Sequence, residues 1–186
     1  MRRFCTVVVG IIAASAVVLV GGPASASSSD STTISVAGEQ LTMSREMAAQ
    51  VNDPNGWGNL TVAQLAAVGI HPGMGKFPPK ANSKQQVVPA SASGCDYNSL
   101  NNSMCIYIYG YSLQVTEWDT SVTISSYRCS YAGYWVNSSL VATSNTVCGQ
   151  NGALWGYWAP NKRMGPGQAC NTFVGIAGRP CETLSF

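Results

Sequence analysis

The chain has 186 residues, with ten lysines and arginines against eight acids, 46% hydrophobic content and seven cysteines. Charged residues make up only 10%, so there is no basic surplus to capture nucleic acid or an anionic membrane surface, both of which require many cationic groups facing phosphates. Without Arg2 and Arg3 the chain carries eight bases and eight acids, and its net charge is near zero.

Arg2 and Arg3 precede an apolar run from Val7 to Val20, and Ala24-Ser25-Ala26 forms a small-residue cleavage site. This pattern predicts a signal peptide over residues 1–26 and secretion to the extracellular space. The run falls short of the ~20 apolar residues a spanning helix needs. Cys5 lies ahead of it rather than at the cleavage point, so no membrane anchor is expected. Cleavage would remove Cys5 and leave Cys95, Cys105, Cys129, Cys148, Cys170 and Cys181. An even set in an exported chain predicts three disulfides formed in an oxidising compartment.

Residues 27–75 read as a short helical region. Met43, Met47 and Val51 fall at i, i+4 and i+8 and predict a helix over roughly residues 44–52. Asp53-Pro54-Asn55-Gly56 then turns the chain. Thr61 and Gln64 form a capping box, Leu60 and Leu65 a hydrophobic staple, and Gly69 a stop, which predicts a second helix. Residues 76–94 carry Pro78-Pro79, Lys80, Lys84, Gln85-Gln86 and a Ser/Ala run ending at Gly94. That composition buries too little apolar surface to offset its ordering entropy and reads as a flexible linker. Ala90-Ser91-Ala92 resembles a second processing site, which makes residues 27–75 a candidate propeptide as well.

Residues 95–186 read as strands. Cys105 to Tyr109 alternates aliphatic and aromatic side chains, Leu113 and Val115 share a face, and Val122 and Ile124 share another. Tyr134-Trp135-Val136 and Leu140-Val141-Ala142 flank Asn137-Ser138-Ser139 as a hairpin. Leu154 to Trp158 and Cys170 to Ile176 complete the set. The expected fold is all-β, a disulfide-stapled antiparallel sandwich or barrel. Turn signals between neighbouring cysteines favour the pairs Cys95–Cys105, Cys129–Cys148 and Cys170–Cys181. The rival is an immunoglobulin-like bridge from Cys105 to Cys170 packed on Trp118. It resembles immunoglobulin domains only in part, since Gln168 stands where their tyrosine two residues before the second cysteine belongs.

No catalytic constellation emerges. His71 stands alone and outside the strand-rich region. Glu117 and Asp119 flank Trp118 and share one strand face, but side-by-side carboxyls lack the opposed geometry of a glycosidase. The mature cysteines are too widely spaced for a zinc site, so neither metal nor cofactor is expected. What stands out is aromatic density. Trp118, Trp155, Tyr157 and Trp158 are the candidate binding residues, because tyrosine and tryptophan at a surface favour recognition of glycans or proteins. Trp155 and Tyr157 share a strand face while Trp158 takes the other, so one of these faces is a candidate platform.

The signal segment, the run from Tyr134 to Cys148, Cys170-Asn171-Thr172-Phe173-Val174-Gly175-Ile176 and Pro180-Cys181-Glu182-Thr183 together resemble small secreted cysteine-containing proteins of high-GC Gram-positive bacteria. That group has no established activity, so the resemblance implies export and cross-linking but no catalytic residue. The expectation is a secreted, non-enzymatic binding module for an extracellular glycan or protein. Two alternatives are a protease inhibitor with a loop over residues 159–168 presenting Lys162-Arg163, and a hydrolase using Glu117 or Asp119.

Overall fold

A computed structural model describes residues 30–75, 92–97 and 102–185. The signal segment and most of the expected linker, residues 76–91, lie outside the described residues. In chain order the elements begin with β1 (Ser31–Val36), β2 (Glu39–Ser44), α1 (Arg45–Asn52), a single 3-10 turn (Gly56–Asn59) and α2 (Val62–Ala67). Then follow β3 (Ala92–Tyr97), β4 (Ser103–Tyr111), β5 (Gln114–Ile124), β6 (Arg128–Ser130), β7 (Ala132–Val136) and β8 (Ser139–Thr143). The last are β9 (Val147–Gly149), β10 (Gly152–Trp158), β11 (Lys162–Arg163), β12 (Gly167–Phe173) and β13 (Cys181–Leu184).

The molecule is mostly β and its strand pairs are antiparallel. One sheet runs in the order β10-β5-β4-β3, with β11 added alongside β5, and a second runs β13-β12-β7-β8. Two separate sheets make the arrangement sandwich-like rather than a closed barrel. Period-two alternation turns one side of each strand inward. From the first sheet come Met104, Ile106, Ile108, Trp118, Val122, Leu154 and Trp158; from the second come Ala132, Tyr134, Ala142, Ala169, Phe173 and Leu184, all in one buried cluster.

A second cluster lies on the far side of the four-stranded sheet. There Tyr131, Trp135, Leu140, Cys170 and Val174 meet Val36, Met43, Val51, Trp57, Leu60, Leu65 and Ile70. Trp57 is fully buried at its centre, edge-on to Trp135 with centroids 5.3 Å apart and to Tyr131 at 6.2 Å. Its Nε1–H donates to the Val51 carbonyl at 3.2 Å. Gly133 makes room for the ring: a Cβ there would lie 2.9 Å from Trp57 Cζ3. Backbone bonds tie this layer down, from Ala37 N–H to the Leu140 carbonyl, Gly73 N–H to Ser144 and Thr143 N–H to Met74, all 2.9–3.0 Å.

Several expectations need correction. The region before the β domain is not simply helical, because it opens with the β1–β2 hairpin, turned at Ala37 and Gly38 with φ of 51° and 88°. Met43 belongs to β2, opposite Thr32, and not to a helix face with Met47. Residues 92–94, assigned to the linker, are in β3, where Ala92, Ser93 and Gly94 pair with Ile108, Tyr107 and Ile106. The cysteine pairs are Cys95–Cys105, Cys129–Cys148 and Cys170–Cys181. In each pair the two cysteines are direct cross-strand partners. The Cys105–Cys170 bridge is excluded, since Cys105 faces away from the sandwich on one sheet and Cys170 away from it on the other.

Candidate functional site

The outer face of the five-stranded sheet has no layer over it among the described residues. Alternation brings Ala153, Trp155 and Tyr157 of β10 to that face, with Glu117, Asp119, Ser121 and Thr123 of β5 and Tyr107 and Tyr109 of β4. The register sets these in rows across the sheet. Tyr157, Asp119, Tyr107 and Ser93 form one row, and Trp155, Ser121, Cys105 and Cys95 the next. The Cys95–Cys105 bridge therefore fastens the edge of the same face. Tyr107 and Trp155 reach over the strand between them and stack, with centroids 5.8 Å apart and planes at 23°. Trp155 is 54% exposed and Tyr157 50%.

Asp119 sits at the middle of this patch. Burial, and then the nearby Glu117 carboxylate, pushes its carboxyl up to about 6. Its Oδ1 is shielded from solvent and accepts no hydrogen bond. The same surroundings raise Tyr109, first through burial and then through Asp119, Glu117 and Tyr107. Directly inside the sheet lies Tyr134 of β7, whose hydroxyl is held far above its ordinary value by burial, then by Asp119 and Tyr157. Gly156 is what admits that hydroxyl beneath the sheet: a Cβ there would be 2.9 Å from Ala132 Cβ and 3.2 Å from Tyr134 Oη.

Of the four candidate binding residues, Trp155 and Tyr157 reach the surface together. Trp118 and Trp158 do not, being 0% and 2% exposed. Alternation accounts for both: Trp118 faces opposite to Glu117 and Asp119, and Trp158 opposite to Tyr157. They form an interior aromatic cluster with Tyr134, at centroid distances of 5.4–5.7 Å. The Trp118 Nε1–H donates to Asn171 Oδ1 at 2.7 Å. Tyr107 and Tyr109 were missed as site residues. Their alternation with Ile106 and Ile108 carried the signal, but only the strand register shows that Tyr107 faces Trp155.

The other predicted features lie apart from this patch. Lys162 and Arg163 form β11 and pair with Val115 and Gln114, Met164 is buried, and Lys162 Nζ lies 5.9 Å from the Trp158 ring. The stretch proposed as an inhibitory loop is thus laid along the sheet edge. His71 follows α2 with its side chain exposed, and its backbone carbonyl accepts from Thr143 Oγ1 at 2.7 Å. Among the described residues no helix is long and apolar enough to cross a membrane. Three disulfides point to an oxidising environment. No protein-family model, curated protein or solved structure matches the chain.

Proposed function

We propose that the protein is a secreted, non-enzymatic binding module that recognises an extracellular glycan or protein through the outer face of its five-stranded sheet. The observation carrying this reading is the Tyr107–Trp155 stack. Four of the five tryptophans are buried at 2% exposure or less, while Trp155 stands half in solvent beside Tyr157. A large amphipathic ring left on an open face, where the sandwich core had room for its neighbours, is characteristic of recognition surfaces.

The burial pattern supplies the test. Acrylamide quenches exposed indoles preferentially, so Trp155 dominates the quenchable fluorescence. Seating a ligand on this face lowers the quenching constant, and Trp155→Phe abolishes that change. A bound ligand that leaves Trp155 as quenchable as before rules this face out as the site.

Hydrolysis is the second reading and has one observation in its favour. Asp119, lifted to about 6, lies in the range that suits a general acid. Against it, Glu117 and Asp119 project side by side from one strand, whereas glycosidase carboxyls flank the scissile bond from two sides. Release of new reducing ends from a bound oligosaccharide, lost in Asp119→Asn, would establish the enzyme. Binding without turnover leaves the module.

A further inference from the structure

We propose that the ligand of this face is a hexopyranose chain bearing no negative charge, lying across the Tyr107–Trp155 stack with a ring hydroxyl donating to the Asp119 carboxylate. This inference rests on the proposed binding role of the face and narrows it to one chemical class.

Three observations select the class. The first is charge. The rows of β3, β4, β5 and β10 carry Glu117 and Asp119 and no lysine or arginine at an outward register position, while Arg163 of β11, opposite Gln114, stands at the end of the same sheet. A phosphate, sulfate or uronate polymer lying over the Tyr107–Trp155 rows would meet two carboxylates, so anionic ligands are disfavoured there.

The second is what occupies the centre. Protein interfaces exclude charge from their buried middle and keep it at the rim. Here the middle of the patch is Asp119, set between Tyr157 and Tyr107 in its row. Its Oδ1 is enclosed without a partner, while the residue as a whole is only half-buried. An apolar protein surface pressed onto it would leave the carboxylate desolvated and unpaired, which costs more than the aromatic contacts return. A sugar hydroxyl at the surface donates to the carboxylate from its open side.

The third is shape. Strands lie ~4.8 Å apart and alternate side chains ~7 Å apart. The aromatic patch from β4 across to β10 therefore spans two strand gaps in one direction and two rows in the other, the footprint of about one or two pyranose rings. A small quaternary cation is held by rings set at angles around it, but Tyr107 and Trp155 are within 23° of parallel. Stacked on each other, they enclose no such cage, and the half of Trp155 left in solvent is open to a flat ligand. The axial C–H groups of a pyranose carry slight positive charge and lie against the ring faces that Trp155 and Tyr157 leave open to solvent, while its equatorial hydroxyls reach Asp119 and Thr123 alongside.

The experiment is calorimetric titration of the secreted, disulfide-bonded protein with neutral hexasaccharides (cello-, manno-, malto-, laminari- and N-acetylchitohexaose), with oligogalacturonate as the anionic probe. At least one neutral hexasaccharide binds. Trp155→Ala and Tyr107→Ala each weaken it at least tenfold, and Asp119→Ala weakens it more than Asp119→Asn, which keeps an accepting oxygen. Tyr127→Ala, exposed and outside the strands of this face, leaves it unchanged. Ionised Asp119 is the better acceptor, so binding weakens as pH falls through about 6 and Asp119→Asn flattens that dependence. Glu117 on β5, Tyr107 and Tyr109 on β4, Tyr157 on β10 and Tyr134 beneath surround the carboxylate, and Glu117→Gln is the control substitution.

Failure of every neutral hexasaccharide to bind overturns the saccharide assignment. Binding of oligogalacturonate or of a protein that Trp155→Ala abolishes also overturns it, while sparing the face as a binding site. Neutral-sugar binding that Trp155→Ala and Tyr107→Ala leave intact removes the face itself.

Discussion

Asp119 is held in a state that costs the fold something at neutral pH. Its folded value near 6 exceeds that of an unfolded aspartate, so the native state binds the proton more tightly. By linkage the protein gains stability as pH falls from above 6 towards 4, and loses that gain as pH rises through 6. Asp119→Asn should therefore stabilise the protein at pH 7.5 by about 1 kcal/mol, the linkage value discounted for a half-exposed carboxylate, with no gain at pH 4. Urea midpoints at the two pH values check this, and a destabilised variant at pH 7.5 would contradict it. Tyr134 shows the same feature in the interior, since its buried hydroxyl has no partner. Tyr134→Phe removes an unsatisfied group without opening a cavity, so stability should hold or rise by up to about 1 kcal/mol in urea. At this scale the sequence was half legible. The face shared by Trp155 and Tyr157 followed from counting residues, but Trp118 and Trp158 were offered as binding residues although the same count turns them inward, and the partner Tyr107 depends on a register that only long-range pairing sets.

Local chemistry made some elements readable and hid others. The second helix was legible because its signals lie within ten residues. Thr61 Oγ1 accepts from Gln64 N–H at 3.2 Å, and Gln64 Oε1 accepts from Thr61 N–H at 2.8 Å. Gly69, at φ 88°, lets Ile70 N–H return to the Leu65 carbonyl at 2.9 Å. Thr61→Ala should cost about 1 kcal/mol, read as a lower thermal midpoint. The hairpin was hidden because Met43 completes a helical spacing with Met47 and Val51. Its alternation through Ile34, Val36 and Leu41 had no Asn-Gly or Asp-Gly turn to announce it; Ala37-Gly38 does that work with a left-handed alanine. Strand β5 runs unbroken through the polar pair Thr120-Ser121. Thr120 is fully buried, its hydroxyl donating to the Cys105 carbonyl at 2.8 Å. Polar residues can continue a strand when a neighbouring strand satisfies them.

Each sheet of the sandwich has an outer face, and the two differ. Residues 30–75 cover that of the four-stranded sheet, and the corresponding face of the other sheet carries the exposed aromatics. The covering layer buries Trp57, Leu60, Leu65 and Ile70 almost completely against Tyr131, Trp135 and Val174. Each such side chain contributes roughly 1.5–3 kcal/mol, so the layer should hold without its covalent connection. A protease site introduced between residues 80 and 88 should therefore yield two fragments that co-elute under native conditions and separate only in denaturant. Trp57→Ala, which empties the centre of that contact at a cost of about 3–5 kcal/mol, should release the smaller fragment from the cut protein. The exposed sheet should then bind a hydrophobic dye through Tyr131 and Trp135. Because the aromatic face lies on the opposite sheet, cutting alone should leave Trp155 as accessible to acrylamide as in the intact chain. Fragments that part on cutting, before any substitution, would mean that the buried contact is weaker than its area implies. Loss of Trp155 exposure on cutting would mean that the covering layer reaches the other side of the sandwich.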